Sequence, residues 1–188
     1  MTKQEALRLL KIIIQKDKSL PLRDQATQLV FGVGAPSAKI FFLGEAPGFY
    51  EDQKGEPFVG AAGKLLNQNL ERIGIKRKDV FISNIVLFRP PANRDPEEKE
   101  IKSFEKYIDK MIAVVSPKII VTLGRFSMAK FLKNVKISSV HGKIYKLQLK
   151  NKDIIVLPMF HPAAALRNPQ FMDSFQKDFL KLKEYVKA

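Results

Sequence analysis

Three short segments of this 188-residue chain gather side chains able to do recognition or acid–base chemistry. The first is Gly44-Glu45-Ala46-Pro47-Gly48, continued by Phe49-Tyr50-Glu51-Asp52 and Gly55-Glu56-Pro57-Phe58-Val59-Gly60. Its glycines and prolines shape a loop whose backbone can come close to a ligand. Glu45, Glu51 and Asp52 are three carboxylates close together in a strongly basic chain, which argues against a plain solvated turn. The second segment holds Asn84 and then Arg89-Pro90-Pro91-Ala92-Asn93-Arg94. A side-chain amide both donates and accepts, which suits the pairing edge of a pyrimidine. Taken alone, such an asparagine is more often a strand-end or turn residue. The third segment is Phe160-His161-Pro162-Ala163-Ala164-Ala165-Leu166-Arg167. His161 is either a catalyst or charge stabiliser at a strand end, or a structural histidine.

These segments need elements that carry them to one place. Four apolar runs, Ile40–Leu43, Val80–Val86, Lys118–Leu123 and Ile154–Pro158, are short and continuous, as strands covered on both faces are. Helical patterns lie between them. Thr2 with Glu5 forms a capping-box signature before a helix running to about Gln15. Leu65, Leu66, Leu70 and Ile73 mark a second helix. Asp95-Pro96-Glu97-Glu98 predicts a helix start with Asp95 as cap and Pro96 first, and Ile101, Phe104, Ile108, Met111, Ile112 and Val115 form its buried stripe. A short helix is expected after Gly124. A last one carries Phe171, Phe175, Phe179, Leu182 and Val186 on one face. Lys143 to Lys152 suggests a hairpin turning near Asn151-Lys152. Strand–helix alternation implies right-handed crossovers. The expected fold is a single α/β domain over residues 1–188, a three-layer α/β/α sandwich around a four-stranded parallel sheet. Ligands of such sheets bind beyond the carboxyl ends of the strands, where all three segments fall.

Composition narrows the chemistry. Lys plus Arg number 33 against 19 Asp plus Glu, a net charge of +14 that favours polyanionic partners or reflects a lysine-rich proteome. There are no cysteines and two histidines. Disulfides, thiol nucleophiles, zinc–cysteine sites and iron–sulfur clusters are excluded on ligand grounds, and a multi-histidine metal site is not expected. Neither a cofactor nor a metal is therefore expected. No apolar run approaches the roughly 18 residues of a membrane span, and the polar amphipathic opening Met1-Thr2-Lys3-Gln4-Glu5 is not expected to be a secretory signal. The expectation is a cytoplasmic, nucleoid-associated protein.

Gly-Glu-Ala-Pro-Gly with Glu51 and Gly-Glu-Pro-Phe-Val-Gly-Ala-Ala-Gly, Arg89-Pro-Pro-Ala-Asn-Arg, and His161-Pro-Ala-Ala together resemble the family-four uracil-DNA glycosylases, the thermostable archaeal and bacterial type. The likeness runs from about Val30 to Tyr185. It implies a monomeric enzyme that flips uracil out of DNA and hydrolyses its glycosidic bond. Under that resemblance Phe58 stacks on the base and Asn84 bonds its N3 and O4 side. Glu51 crowds position C5 against a thymine methyl. Glu45 positions or activates water, with Gly44 and Ala46 backbone helping, and Asn93 is a further polar residue of the site. His161 donates to O2 of the departing base. Arg89, Arg94, Leu166 and Arg167 are expected on the DNA, the last two as a wedge in the vacated stack.

The family holds a four-iron cluster with four cysteines, whose positions fall near Asp17, Leu20, Phe88 and Phe104 here. An apolar plug is expected in its place. Two other readings remain at this level: a glycosylase for hypoxanthine or xanthine, and a non-catalytic DNA-binding relative.

Overall fold

The computed structural model describes residues 1–149 and 152–186. The chain opens with α1 (Lys3–Lys16), closed at its start by the expected Thr2/Glu5 capping box. A long connection then leads through β1 (Val33–Gly34) into β2 (Ile40–Gly44). α2 (Phe49–Lys54) and α3 (Ala61–Arg72) precede β3 (Phe81–Asn84), and α4 (Glu98–Val115) precedes β4 (Ile119–Leu123). Two short helices follow, α5 (Arg125–Ala129) and α6 (Ile137–Val140). Next come β5 (Tyr145–Leu149), β6 (Lys152–Met159), α7 (Pro162–Arg167), α8 (Pro169–Leu180) and α9 (Lys183–Val186).

The strands form one sheet in the order β1-β3-β2-β4-β6-β5. Its four central strands are parallel, as expected, and two antiparallel edge strands extend it to six. β5 and β6 pair antiparallel as the arms of the expected hairpin, and Asn151 of the expected turn, like Lys150, lies outside the described residues. β1 was not anticipated, because two residues with one exposed carry no periodic signal.

Alternation along the strands builds the three layers. Phe41, Leu43, Ile120 and Val156 face a core shared with Leu10 and Ile14 of α1 and Phe104, Ile108 and Met111 of α4. Ile40, Phe42, Val121, Leu157 and Met159 face the opposite core, shared with Leu66 and Leu70 of α3 and Phe175 and Phe179 of α8. Burial on both faces is why these strands read as unbroken apolar runs.

Two helix boundaries differ from expectation. α4 begins at Glu98 with Glu97 as its cap, not at Pro96 behind Asp95. The Glu97 N–H donates to Glu100 Oε2 at 2.8 Å, closing a capping box two residues later. Arg94 clamps the same Glu100 through two bonds of 2.9 and 2.7 Å, so tertiary pairing selects this cap over Asp95. The last helical segment breaks after Leu180 into α8 and α9, with Leu182 buried between them.

At the N-terminal corner Leu20, Phe88 and Phe104 are at most 5% exposed and belong to one core. The rings of Phe88 and Phe104 lie 6.1 Å apart, and the Arg23 guanidinium sits 5.8 Å from the Phe88 centroid. Asp17 accepts from the Tyr107 hydroxyl and pairs with Lys106 at 3.5 Å. The Ser19 hydroxyl, then Tyr107, hold the Asp17 carboxyl well below the usual carboxylate range. An iron–sulfur cluster does not fit here: carbon fills three of the four corresponding positions, and the chain has no thiolate to offer.

Candidate active site

A cavity of about 590 Å³ opens at the carboxyl end of the parallel strands. Glu45, Ala46, Glu51, Phe58, Asn84, Asn93, Arg94, His161 and Arg167 all border it. The three segments singled out by sequence thus meet at one place.

Strand register sets the floor. Gly44 ends β2 opposite Asn84 at the end of β3. A methyl group on Gly44 would lie 2.4 Å from Asn84 Oδ1 and 2.6 Å from Phe58 Cζ, so only glycine lets the amide and the ring close over the strand end. Asn84 is 2% exposed, yet its side-chain amide has no hydrogen-bond partner among the described residues. The amide atoms are not sealed from the cavity, so a ligand there meets a free donor and a free acceptor.

Phe58 is held by its backbone. Its φ of +53° is unusual for a bulky residue. Glu51 Oε1 accepts from the N–H groups of Val59 at 3.1 Å and Gly60 at 3.2 Å, tying α2 to the Phe58 loop. Glu51 is therefore a fixed wall of the cavity. Asp52, the third carboxylate of this segment, turns away: it is buried and accepts from Thr27 N–H at 2.9 Å. That bond anchors α2 to the N-terminal loop.

His161 caps α7, and its Nδ1 accepts from the Ala163 N–H at 3.1 Å. The bond assigns the tautomer: a neutral ring must then carry its proton on Nε2. Burial, and next the Arg167 charge, push the His161 pKa down to about 4, so the ring is neutral near pH 7. Its centroid lies 5.7 Å from that of Phe58. Across the cavity, burial and the charge of Asp95 raise Glu45 to about 6, against an opposing pull from Arg125.

The arginines divide. Arg89 donates from Nε to Asn93 Oδ1 at 2.7 Å, and both stand at the rim. Asn93 and its neighbour Ala92 have positive φ, at +54° and +52°. Arg94, expected on DNA, directs its guanidinium into the bidentate pair with the buried Glu100 and braces the start of α4. Leu166 is 47% exposed on α7. Sequence reasoning gave no site role to Gly124, Arg125, Phe160 or Phe171, which also border the cavity. Gly124 has φ +98°, and a side chain there would meet His161 Cβ at 3.1 Å. A glycine directly after a predicted strand was the available signal. Arg125 pairs with Asp95 across the mouth, which nothing local to either residue indicates.

The chain is similar to known proteins over most of its length. The chain is 51% identical over 164 residues to the type-4 uracil-DNA glycosylase of Sulfurisphaera tokodaii, covering 84% of this chain and 74% of that one. It is 47% identical over 180 residues to the corresponding enzyme of Saccharolobus solfataricus, with 93% and 82% covered. Against that of Archaeoglobus fulgidus it is 43% identical over 177 residues, with 91% and 88% covered. The family model described as the uracil DNA glycosylase superfamily matches residues 31–187, and the chain belongs to that superfamily.

Proposed function

We propose that this protein is a uracil-DNA glycosylase that hydrolyses the N-glycosidic bond of uracil flipped out of DNA and so initiates base-excision repair. The observation that carries the reading is the unpartnered, buried Asn84 amide facing the same cavity as a neutral His161. An amide at that point complements the donor and acceptor of uracil N3 and O4, whereas cytosine presents the reverse polarity at position 4. Phe58 supplies the stacking face. Glu51 walls the C5 side, where a thymine methyl would need room.

In this reading the bond between C1′ and N1 breaks with its electron pair on the base. The His161 Nε2–H donates to O2 as negative charge develops there, and one such preorganised donor is typically worth about 2.7–4 kcal/mol. A neutral ring suits this task, because Nδ1 remains an acceptor for the α7 backbone throughout. Glu45, as the carboxylate, favours the cationic sugar and accepts a proton from the water that attacks C1′. The products are free uracil and an abasic deoxyribose. Arg89 and Arg167 would meet phosphates, and Leu166 would fill the vacated stack. Asn93 orients Arg89 at the rim, and Arg94 contributes by bracing the loop. No cofactor enters any step.

The test is excision from an oligonucleotide carrying a single uracil, scored by alkaline cleavage at the abasic site. Wild-type protein should cut in the presence of EDTA, and His161→Ala and Asn84→Ala should be strongly impaired. Intact uracil DNA beside cleavage of a hypoxanthine or xanthine substrate would instead identify a glycosylase of different base specificity.

A further inference from the structure

The rim of the cavity carries an aromatic surface that none of these roles uses. Phe49 and Tyr50 open α2 and are 50% and 64% exposed. Their rings meet edge to face, with centroids 5.5 Å apart at 80°. Neither joins the two hydrophobic cores. Gly48 before them and Glu51 after them both border the cavity, so the patch lies next to the pocket although neither ring lines it. The Arg89 guanidinium lies 5.1 Å from the Phe49 centroid, held there by Asn93. A flat apolar face beside a positioned cation matches a planar base joined to a phosphate.

We infer that Phe49 and Tyr50 form a stacking platform for the unpaired base that flanks the uracil on the same strand, with Arg89 meeting the intervening phosphate. The inference rests on the glycosylase reading of the adjoining pocket. Drawing uracil into the cavity removes a stacking neighbour from the flanking base, and an exposed ring replaces it. Aromatic–base stacking tolerates any sequence, because every base has a π-face. The platform favours single-stranded substrate, since in a duplex the flanking base keeps its partner.

The experiment compares wild type with the double variant Phe49→Leu/Tyr50→Leu, which keeps apolar bulk at two exposed positions and should melt at the same temperature. The variant should raise KM for a single-stranded uracil oligonucleotide about tenfold, within the range for loss of one base–aromatic stack. kcat should move by no more than about twofold, and KM for the duplex should shift less. In parallel, 2-aminopurine placed beside a tetrahydrofuran abasic analogue reports stacking without catalysis. Wild type should quench it and the leucine variant should not. The exchange Phe49→Tyr/Tyr50→Phe should restore both signals. Unchanged KM and unchanged quenching in the leucine variant, with uracil still excised, would overturn the platform and assign the patch to another partner such as a protein. Should wild type excise no uracil, the glycosylase reading fails by itself. The aminopurine signal then decides the platform separately, with aromatic-dependent quenching upholding it and no quenching overturning it.

Discussion

Phe88 and Arg89 are neighbours in sequence, yet they serve two regions built on opposite principles. Phe88 belongs to the N-terminal corner, where carbon packs on carbon and the Asp17 carboxylate is surrounded by donors. Arg89 belongs to the pocket rim, where the Asn84 amide has no protein partner and burial pushes the Glu45 carboxyl above its ordinary pKa. The corner is satisfied, and the pocket is arranged to be satisfied by a ligand. Instability concentrated at one site and offset elsewhere is the usual signature of function. The two regions also meet mechanically, because the loop that ends in Asn93 starts from the Phe88 anchor.

The division can be broken or sharpened by mutation. Phe104→Ala should cost about 3–5 kcal/mol of stability in urea unfolding, as expected for a fully buried ring in a packed corner. A negligible change would mean that the plug does not hold the corner. His161→Ala should do the reverse, lowering kcat roughly 100- to 1000-fold with little change in melting temperature. Asp17→Asn weakens the corner's charged hydrogen bonds and should cost about 1.5–3 kcal/mol near neutral pH. Because the folded-state pKa of Asp17 is depressed, its stabilisation is present above the ordinary carboxylate range and is lost on acidification. The gap between variant and wild type should therefore narrow as pH falls below about 4.

Glu45 has the opposite sign. Its pKa of about 6 lies above the ordinary 4.5, so ionisation at neutral pH opposes folding. Glu45→Gln should slightly raise the melting temperature at pH 8 while removing most activity. In wild type, kcat/KM should fall as pH drops through about 6, provided that the carboxylate is the active form. An acid limb that persists in Glu45→Gln would assign the titration to another group. The smallest expected effect is that of Arg94→Lys. Loss of the fork on Glu100 should loosen the start of α4 and leave the salt dependence of DNA binding nearly unchanged, since that guanidinium is already engaged. A marked change in salt slope would return Arg94 to the DNA-contacting set.

Much of this was legible before any coordinates. The four parallel strands announced themselves because both faces are covered, which leaves continuous apolar runs. Their carboxyl ends then indicated where Glu45, Asn84 and His161 should converge. The absence of cysteine excluded a metal–thiolate corner outright. The resemblance supplied most of the individual roles, and the aromatic character of Phe88 and Phe104 already suggested a packed substitute for the cluster.

Other features depended on partners distant in sequence. The start of α4 could not be read from Asp95-Pro96-Glu97, because both acids are competent caps and the choice lies with Arg94, Glu100 and Arg125. The His161 tautomer follows from one hydrogen bond to Ala163 and its charge state from burial. The need for glycine at position 44 arises only when Asn84 and Phe58 close over it. Residue type and periodicity act locally, and they determined the elements, the layer order and the edge on which the chemistry would lie. Hydrogen-bond partners, desolvation and clearance are properties of groups brought together from far along the chain, and only the tertiary structure decided those.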